Sequence, residues 1–318
     1  MDHIAPTPRR SPRAQRASVA SIAVVLAALV ATPFVARLRP AELTLAPAVD
    51  AVAELPASSL TRVAHLTQAA QAVAGAGSHL GFDTHSYPGD RAMQAYRSTY
   101  EWVGFYLPAP CHRETSWSGK RGNLARMGYG VAVIYVGQQT WAEHKGLTRK
   151  QREIAMAGGA SCLPDYVSGA QGRAEAEDAV ARTAAEGFPA GTVIYLDIER
   201  MQVVPQKMRE YYRQWTERVL EDGRFVPGVY VHTHNATMIH RDVKAVYSSH
   251  GIDADPPFWV AGGRGFHREA SPESVGHTFA HAWQGVLDVV ERRNGFRLPI
   301  DVNVAAVPSP SGVLAMTE

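Results

Sequence analysis

The chain has 318 residues, of which 46 % are hydrophobic and 19 % are charged, so it can bury a sizeable core and is not disordered throughout. Its 32 Lys and Arg residues nearly balance its 30 Asp and Glu residues, and no long basic run follows residue 40, so we expect no nucleic-acid partner. Two cysteines exclude a disulfide-rich scaffold and a four-cysteine zinc site.

The first 36 residues have the pattern of a signal peptide or an N-terminal anchor. Four arginines precede an uncharged apolar segment over 17–36, which ends in small residues. This order is typical of a secretory signal, although about 20 apolar residues are also long enough to span a bilayer. The pair Arg9-Arg10 weakly resembles a twin-arginine signal. We therefore expect a secreted or cell-envelope protein whose membrane contact is through this segment alone.

The stretch over 37–77 is rich in Ala and Pro, which predicts a linker. We expect residues 78–306 to form one domain and residues 307–318 to form a C-terminal tail. Within that domain, eight short apolar runs predict β-strands. In chain order they are His79–Thr84, Trp102–Leu107, Val131–Val136, Thr192–Ile198, Val226–His232, Pro257–Ala261, Phe279–Gln284 and Leu298–Val304.

Helical patterns separate most of these runs. They are Asp90–Thr99, Lys120–Met127, Gln171–Glu186, Pro205–Asp222 and Thr237–His250. Strands alternating with helices are typical of parallel strands joined by crossovers, and the count of eight favours a closed (β/α)8 TIM barrel, an α/β fold, over an open sheet. The segment 262–278 contains Gly, Pro and His and need not be helical. No Gly-rich nucleotide motif follows the first strand, so we expect no cofactor.

Polar residues collect at the ends of the predicted strands, where a barrel of this kind holds its site. The carboxylates are Asp83, Asp197, Glu199 and Asp301. The other candidates, expected to bind substrate, are Tyr106, Tyr135, Tyr230, His232, Trp259, Trp283 and Gln284. Acids for a glycosidic bond, aromatic faces for sugar rings and amides for hydroxyl groups together predict a sugar-binding cleft.

Asp197 and Glu199 are separated by one residue, so on a strand they point to the same face, about 6–7 Å apart. Burial at an apolar rim and mutual repulsion would both raise a pKa, which keeps one carboxyl protonated near neutral pH. A glycosidase needs such an acid to protonate the leaving oxygen. Two other interpretations stay open: Asp197 as a helix cap, and Glu199 as a surface partner of Arg200.

Four motifs in sequence order resemble the glycoside hydrolase family 25 lysozymes. They are Gly81-Phe82-Asp83, Tyr195-Leu196-Asp197-Ile198-Glu199, Trp283-Gln284 and Ile300-Asp301-Val302-Asn303. The chain is more similar to an exported actinobacterial domain of unknown function described as glycoside-hydrolase-like, which opens with Gly-Phe-Asp-Thr and a short helix holding Met and aromatic residues, here Met93 and Tyr96. The resemblance covers about residues 79–304 and implies a glycoside-hydrolase-like TIM barrel.

The resemblance also implies roles for the acids. In the lysozymes the Glu of the Asp-x-Glu motif is the proton donor, which corresponds to Glu199. The remaining site acids correspond to Asp197, Asp83 and Asp301. Where the lysozymes have an aromatic residue after Trp-Gln, this chain has Gly285.

Two further motifs have alternative interpretations. His232 and His234 form a His-x-His pair, which would bind zinc together with Asp197 or would line the barrel mouth; we favour the lining role and expect no metal. Cys111 beside His112 would form either a nucleophilic pair or, with Cys162, a disulfide. We favour the disulfide, because neighbouring strands two and three would bring both cysteines to one rim of an exported domain.

These patterns predict a monomeric exported protein that hydrolyses cell-wall glycan, with peptidoglycan as its expected partner. One alternative is a glycan-binding pseudoenzyme that keeps the cleft without turnover. A less favoured alternative is a metal-dependent hydrolase that uses His232 and His234.

Overall fold

The computed structural model describes residues 77–140 and 162–312. The predicted export segment over 1–36, all but the last residue of the linker over 37–77, and residues 313–318 of the predicted tail lie outside these ranges. Within the described ranges, no helix combines the length and the hydropathy needed to cross a bilayer.

Eight strands follow one another along the described chain, each starting within two residues of its predicted start. They are β1 His79–Asp83, β2 Trp102–Tyr106, β3 Gly130–Tyr135, β4 Val193–Ile198, β5 Val226–His232, β6 Phe258–Ala261, β7 Ala280–Arg293 and β8 Phe296–Ala305. The first six are short and predominantly apolar, as expected of strands that are covered on both faces.

Helices connect most of these strands. They are α1 Asp90–Arg97, α2 Arg121–Arg126, α3 Gly169–Ala185, α4 Gln206–Asp222 and α5 Thr233–Ser249, with single 3₁₀ turns at Pro164–Tyr166 and Pro272–Val275. Pro205 precedes α4, and Gly223 ends it with a positive φ of 76°, as the sequence signals indicate. In the connection between β6 and β7, which the structure describes in full, the second 3₁₀ turn is the only helical element.

The strands form a closed barrel in sequence order, which confirms the predicted TIM-barrel fold. The direction of β8 differs from the expectation of parallel strands: β8 runs antiparallel to both β7 and β1, while β1 to β7 are parallel. The reason is the missing seventh crossover. Asn294 and Gly295, with φ of 45° and 84°, form a two-residue turn that reverses the chain directly from β7 into β8.

The β7–β8 hairpin extends beyond the barrel wall. β8 pairs with β1 only from Asp301 to Ala305, whereas its pairing with β7 continues outward to Arg293 and Phe296. The hairpin therefore rises from the mouth of the barrel, at the end where β1 finishes.

Aromatic side chains fill the barrel interior below that mouth. The ring of Trp259 makes edge contacts with Trp102, Tyr195 and Tyr230, at centroid distances of 5.5, 5.9 and 5.2 Å. Such edge-to-face packing adds to the hydrophobic stabilisation of a core. The interior is therefore a packed core rather than a channel.

Residues after β8 close the opposite end of the barrel. Ser311 donates its hydroxyl to Val193 O at 2.7 Å and accepts from Val133 N at 2.7 Å, while Tyr195 donates to Pro310 O at 3.0 Å. The predicted tail over 307–318 thus begins as part of the barrel, because its polar groups satisfy strand ends that would otherwise be buried without partners.

The predicted disulfide between Cys111 and Cys162 is confirmed, with a Cα–Cα distance of 4.7 Å and a sequence separation of 51. Cys111 lies after β2 and donates its backbone N–H to Val136 O at 3.1 Å, just beyond β3. Gln138 accepts a hydrogen bond from Leu163 N at 2.9 Å, directly after Cys162. Both ends of the bridge are therefore fastened to the rim formed by β2 and β3.

Replacing Cys111 and Cys162 together by serine is expected to lower the free energy of unfolding by about 3–4 kcal/mol, because the unfolded chain regains the entropy of an open loop. Denaturant titration with and without reductant measures this difference. Reductant should destabilise the unchanged protein and leave the double variant unaffected. Two thiols titrating in the unfolded, unreduced protein would contradict the bridge.

Candidate active site

Asp83 lies at the end of β1, and both of its carboxylate oxygens accept hydrogen bonds inside the barrel mouth. Tyr106 donates to Oδ1 at 2.8 Å, while Gln284 and Asn303 donate to Oδ2 at 2.9 and 2.8 Å. Gly104 on β2 leaves room for this carboxyl, because a Cβ there would lie 2.6 Å from Asp83 Cβ. Side chains from β2, β7 and β8 therefore hold Asp83 in one position.

Gln284 joins two of the predicted acids across the barrel wall. Its Nε2 donates to Asp83 Oδ2 and also to Asp301 Oδ2 at 3.2 Å, so one amide group separates the two carboxylates. Tyr230 donates to Gln284 Oε1 at 2.6 Å. Because Tyr230 occupies the amide oxygen, the amide nitrogen of Gln284 is the atom that faces the acids.

Asp301 reaches the mouth because β8 runs antiparallel. In the register of β1 and β8, Asp301 lies opposite Asp83 at the mouth and Ala305 lies opposite His79 at the closed end. A bulge in β7 gives Asp288 a φ of 52° and directs its backbone N–H onto Asp301 Oδ1 at 2.6 Å. A non-glycine residue in this region is strained by about 1 kcal/mol or more, and the charge-assisted hydrogen bond offsets that strain.

Asp197 and Glu199 occupy the end of β4. Asp197 is paired with Tyr230 in the β4–β5 register and is buried, whereas Glu199 follows the last strand residue and is exposed. Gln139 fixes both backbones: its Nε2 donates to Asp197 O at 2.8 Å, and its Oε1 accepts from Glu199 N at 3.1 Å. Among the described residues, Asp197 Oδ1 has no hydrogen-bond partner.

Burial at the barrel mouth raises the pKa of all four carboxyls, because it disfavours the charged form. The pKa of Asp197 lies well above its usual range, since the charges of Glu199 and Asp83 add to its burial. At Asp83, three hydrogen bonds oppose the rise in pKa. Burial and the charge of Asp83 raise the pKa of Asp301 to about 7. Glu199 keeps an exposed face, but the barrel rim removes enough water to raise its pKa as well.

At neutral pH the cluster therefore carries fewer than four negative charges, and its protons are shared between interacting groups. A protonated acid beside an ionised carboxylate is the combination that cleavage of a glycosidic bond requires.

Tyr135, predicted to line the cleft, lies outside the barrel interior. Its hydroxyl donates to Asp178 Oδ2 of α3 at 2.9 Å. In the β2–β3 register Ile134 is the partner of Tyr106, which points inward, so the next residue of β3 points to the helix layer.

Trp283 also differs from its predicted place, because Gln284 takes the inward position of β7. The indole of Trp283 donates to Gly262 O at 2.6 Å and packs against Phe266 at a centroid distance of 5.0 Å. Phe266 also fills the space beside Gly285, where a Cβ would lie 1.8 Å from the ring. An aromatic side chain from the β6–β7 connection thus takes the place that a side chain at position 285 would need.

Trp259 points inward but is fully buried, so it presents no surface to a sugar ring. Its indole donates to Asn303 Oδ1 at 3.1 Å, beneath Asp83. Trp259 therefore supports the site from below instead of forming the predicted stacking platform.

The histidines at the end of β5 point to different partners. His232 Nδ1 accepts from the backbone N–H of His234 at 3.0 Å and caps α5, and burial lowers the pKa of His232. The ring of His234 lies 3.3 Å from Gln202 O. Across 77–140 and 162–312, no three His, Cys, Asp or Glu side chains are grouped so as to hold a metal ion. Cys111 is bonded to Cys162, so it offers no thiolate beside His112.

The barrel mouth thus brings together most of the predicted site. Its members are Asp83, Asp197, Asp301, Tyr106, Tyr230 and Gln284, with Glu199 and His232 at the rim.

Sequence reasoning missed Asn303, Gln139 and Asp288 as parts of the site. Asn303 is within the fourth motif and Gln139 lies just after the third strand, so their positions at strand ends were a usable signal. No sequence signal marks the backbone N–H of Asp288, because its role arises from a bulge.

One protein-family model matches the barrel domain. The model described as "Rv2525c-like, glycoside hydrolase-like domain" matches residues 94–305, more than half of the chain. The chain belongs to this family. The matched range includes β2 to β8 and three of the four site acids, while Asp83 precedes it. No curated protein sequence is similar enough to this chain to count as a match.

Several solved structures are similar to the family domain in this chain. An uncharacterized protein of B. stearothermophilus is 19 % identical with a TM-score of 0.47, over 71 % of this chain and 95 % of that one. The Tat-secreted protein Rv2525c of Mycobacterium tuberculosis is 17 % identical with a TM-score of 0.43, over 72 % and 94 %. The spore cortex lytic enzyme SleM of Clostridium perfringens is 11 % identical with a TM-score of 0.44, over 72 % and 67 %.

Replacing Asp301 by asparagine should change how stability depends on pH. A carboxyl whose pKa is raised in the folded state destabilises that state as pH rises from about 4 toward 7, because folding opposes its ionisation. The variant removes this penalty, by about 1–2 kcal/mol after allowance for solvent screening. The melting temperature of the variant, relative to that of the unchanged protein, should therefore be higher at pH 8 than at pH 4.

The exposed Asp253→Asn variant is the matched control for replacing an aspartate by asparagine away from the barrel mouth. An Asp301→Asn variant whose difference from the unchanged protein changes with pH no more than that of the control would contradict the raised pKa.

Proposed function

We propose that this protein is an exported glycoside hydrolase that cleaves cell-wall glycan, with peptidoglycan as its substrate class. The observation that carries the proposal is the cluster of four carboxyls with raised pKa values at the mouth of a closed barrel. Membership of a glycoside hydrolase-like family supports the reaction type. The motifs shared with the family 25 lysozymes support the choice of peptidoglycan.

Glu199 is the proposed proton donor. Its side chain is exposed, so it can reach an oxygen of a bound polymer, and its raised pKa keeps it protonated closer to neutral pH. The backbone N–H of Glu199 donates a hydrogen bond to Gln139 Oε1, which limits movement of the residue that carries the acid. Protonation of the leaving oxygen by such a positioned acid typically accelerates cleavage by about 10²–10⁴-fold.

The remaining acids would stabilise the positive charge that develops on the sugar. Crowding makes ionisation of Asp83, Asp197 and Asp301 unfavourable in the free protein, and a nearby cation relieves that repulsion. Asp197 Oδ1 is available for this role, because it has no partner among the described residues. The interaction is therefore stronger in the transition state than in the ground state, as catalysis requires.

A second candidate is a glycan-binding protein without turnover. The same raised pKa values favour it, because Asp83, Asp197 and Glu199 protonated together would leave too few ionised carboxylates for a two-carboxylate mechanism. Binding with no release of reducing ends would support this candidate.

Replacing Glu199 by glutamine is expected to lower the release of reducing ends from purified peptidoglycan at least 100-fold. Glutamine keeps the shape and hydrogen-bonding capacity of the side chain but has no proton to donate. Melting curves at neutral pH should show no loss of stability, because removing a carboxyl whose pKa is raised in the folded state favours folding. The control is Glu177→Gln on α3, an exposed glutamate paired with Arg218, which should keep full activity.

Full activity in Glu199→Gln would overturn the assignment of the proton donor. No hydrolysis by the unchanged protein, together with retained binding to peptidoglycan, would favour the second candidate.

Replacing Asp197 by asparagine is expected to reduce hydrolysis by about 10²–10³-fold, because the neutral amide stabilises a developing cation less well. Steady-state kinetics should show this loss in kcat rather than in KM, since the charge develops only in the transition state. A change confined to KM would instead make Asp197 a substrate-binding residue.

Export is part of the proposal. It rests on the arginines and the apolar segment within residues 1–36 and on the disulfide, which persists in oxidising compartments. Fractionation of the producing cells should recover the protein outside the cytoplasm, and recovery in the cytoplasm with free thiols would contradict it.

A further inference from the structure

The face of the β7–β8 hairpin that continues the barrel interior carries two arginines. Alternation along β8 places Asn303, Asp301, Pro299 and Arg297 on one side of the strand, from the barrel core to the hairpin. The intervening residues, among them Ile300, pack on the other side against the core. Arg297 is therefore four residues from Asp301 on the same face, about 13 Å along the strand.

The two arginines are direct neighbours across the hairpin. Arg297 pairs with Arg292 in the β7–β8 register, and Pro299 pairs with Val290. All four are exposed, and we call them the mouth face of the hairpin. Its apolar part, Val290 and Pro299, lies next to Asp301, and its cationic pair, Arg292 and Arg297, lies further out along the hairpin.

The cationic pair has no acid to balance it. Among the described residues, neither Arg292 nor Arg297 takes part in an ion pair or a side-chain hydrogen bond, and like charges directly opposite each other destabilise a β-ladder. The register of the hairpin therefore keeps two like-charged residues directly opposite each other, at a position where no acid of the described chain pairs with either of them.

The opposite face of the same hairpin shows the usual arrangement. There Arg293 and Arg268 both contact the carboxylate of Glu291, with Arg293 at 3.2 Å. The contrast between the two faces shows that arginines on this hairpin are neutralised on the side that packs against the domain. Only the side that continues into the site leaves the positive charge unbalanced.

We propose that Arg292 and Arg297 form a subsite for carboxylate groups carried by the glycan that enters the barrel mouth. The proposal rests on the proposed glycan function and narrows its substrate class to acidic glycans. Two planar guanidinium groups side by side match a carboxylate, and such charge-assisted hydrogen bonds are stronger than neutral ones. Val290 and Pro299 would contact the apolar face of a sugar ring between this subsite and Asp301.

The carboxylate can belong to the sugar itself or to a peptide attached to it, since both present the same oxygens. In either case the anion would relieve the repulsion between the arginines. Because Arg297 lies about 13 Å from Asp301 along β8, the bound carboxylate would be separated from the proposed cleavage point by the length of a short oligosaccharide.

The test compares a neutral chitin oligosaccharide with a carboxymethylated chitin oligosaccharide of the same length, by calorimetry in the Glu199→Gln background so that nothing is hydrolysed. We expect about tenfold tighter binding of the acidic ligand at low salt, and a smaller difference at high salt. The Arg292→Gln/Arg297→Gln variant should lose this preference and keep its affinity for the neutral ligand.

Arg293→Gln is the matched control, because it removes one positive charge from the same hairpin on the neutralised face. It should keep the preference for the acidic ligand. The double variant should melt at the same temperature as its parent or slightly higher at low salt, since one repulsion is removed. If the double variant loses the preference but also melts at a much lower temperature, the binding measurement is repeated with Arg297→Gln alone.

Equal affinity for both ligands, or a preference that survives in both the double and the single variant, would overturn the subsite while leaving the glycan cleft in place. Binding of neither ligand would overturn the glycan function and the subsite together. Peptidoglycan fragments with and without their peptides then identify the carboxylate: an arginine-dependent preference without peptides assigns it to the sugar, and one that needs peptides assigns it to the peptide.

Discussion

The shared amide of Gln284 is the contact on which the site depends. It donates to Asp83 and Asp301 at once, and this is possible only because β7 and β8 complete the barrel beside β1. Without closure, β1 and β8 would be opposite edges of a sheet and the two carboxyls would not meet. Tyr230 and Asn303 complete the network from the remaining sides, so the position of each acid is set by several strands.

The same arrangement is unfavourable for the folded protein in the absence of a ligand. Four carboxyls with raised pKa values oppose folding at neutral pH, and Asp288 holds a strained backbone to supply one hydrogen bond. The aromatic core beneath the mouth, the Ser311 contacts at the closed end and the disulfide stabilise the domain elsewhere. The contacts that stabilise the domain thus lie away from the mouth. At the mouth, the repulsion between the acids is what the proposed stabilisation of a cation would use.

Two peripheral elements extend the mouth on different sides. The disulfide fastens the connection after β3 to the segment after β2, and the hairpin continues the wall formed by β7 and β8. The connection after β3 also carries the helical crossover α3, whereas the hairpin replaces the crossover that a regular barrel has between β7 and β8.

The sequence by itself determined the alternation of strands and helices, the closed barrel, the four acids and the cysteine pair, because apolar periodicity and polar residues at strand ends are local signals. Only the tertiary structure decided the direction of β8 and the faces of Tyr135 and Trp283. A strand has the same local pattern whichever way it runs, and a shift of one residue turns a side chain from the interior to the helix layer. Register and strand direction are properties of paired strands, so they exist only once the chain has folded.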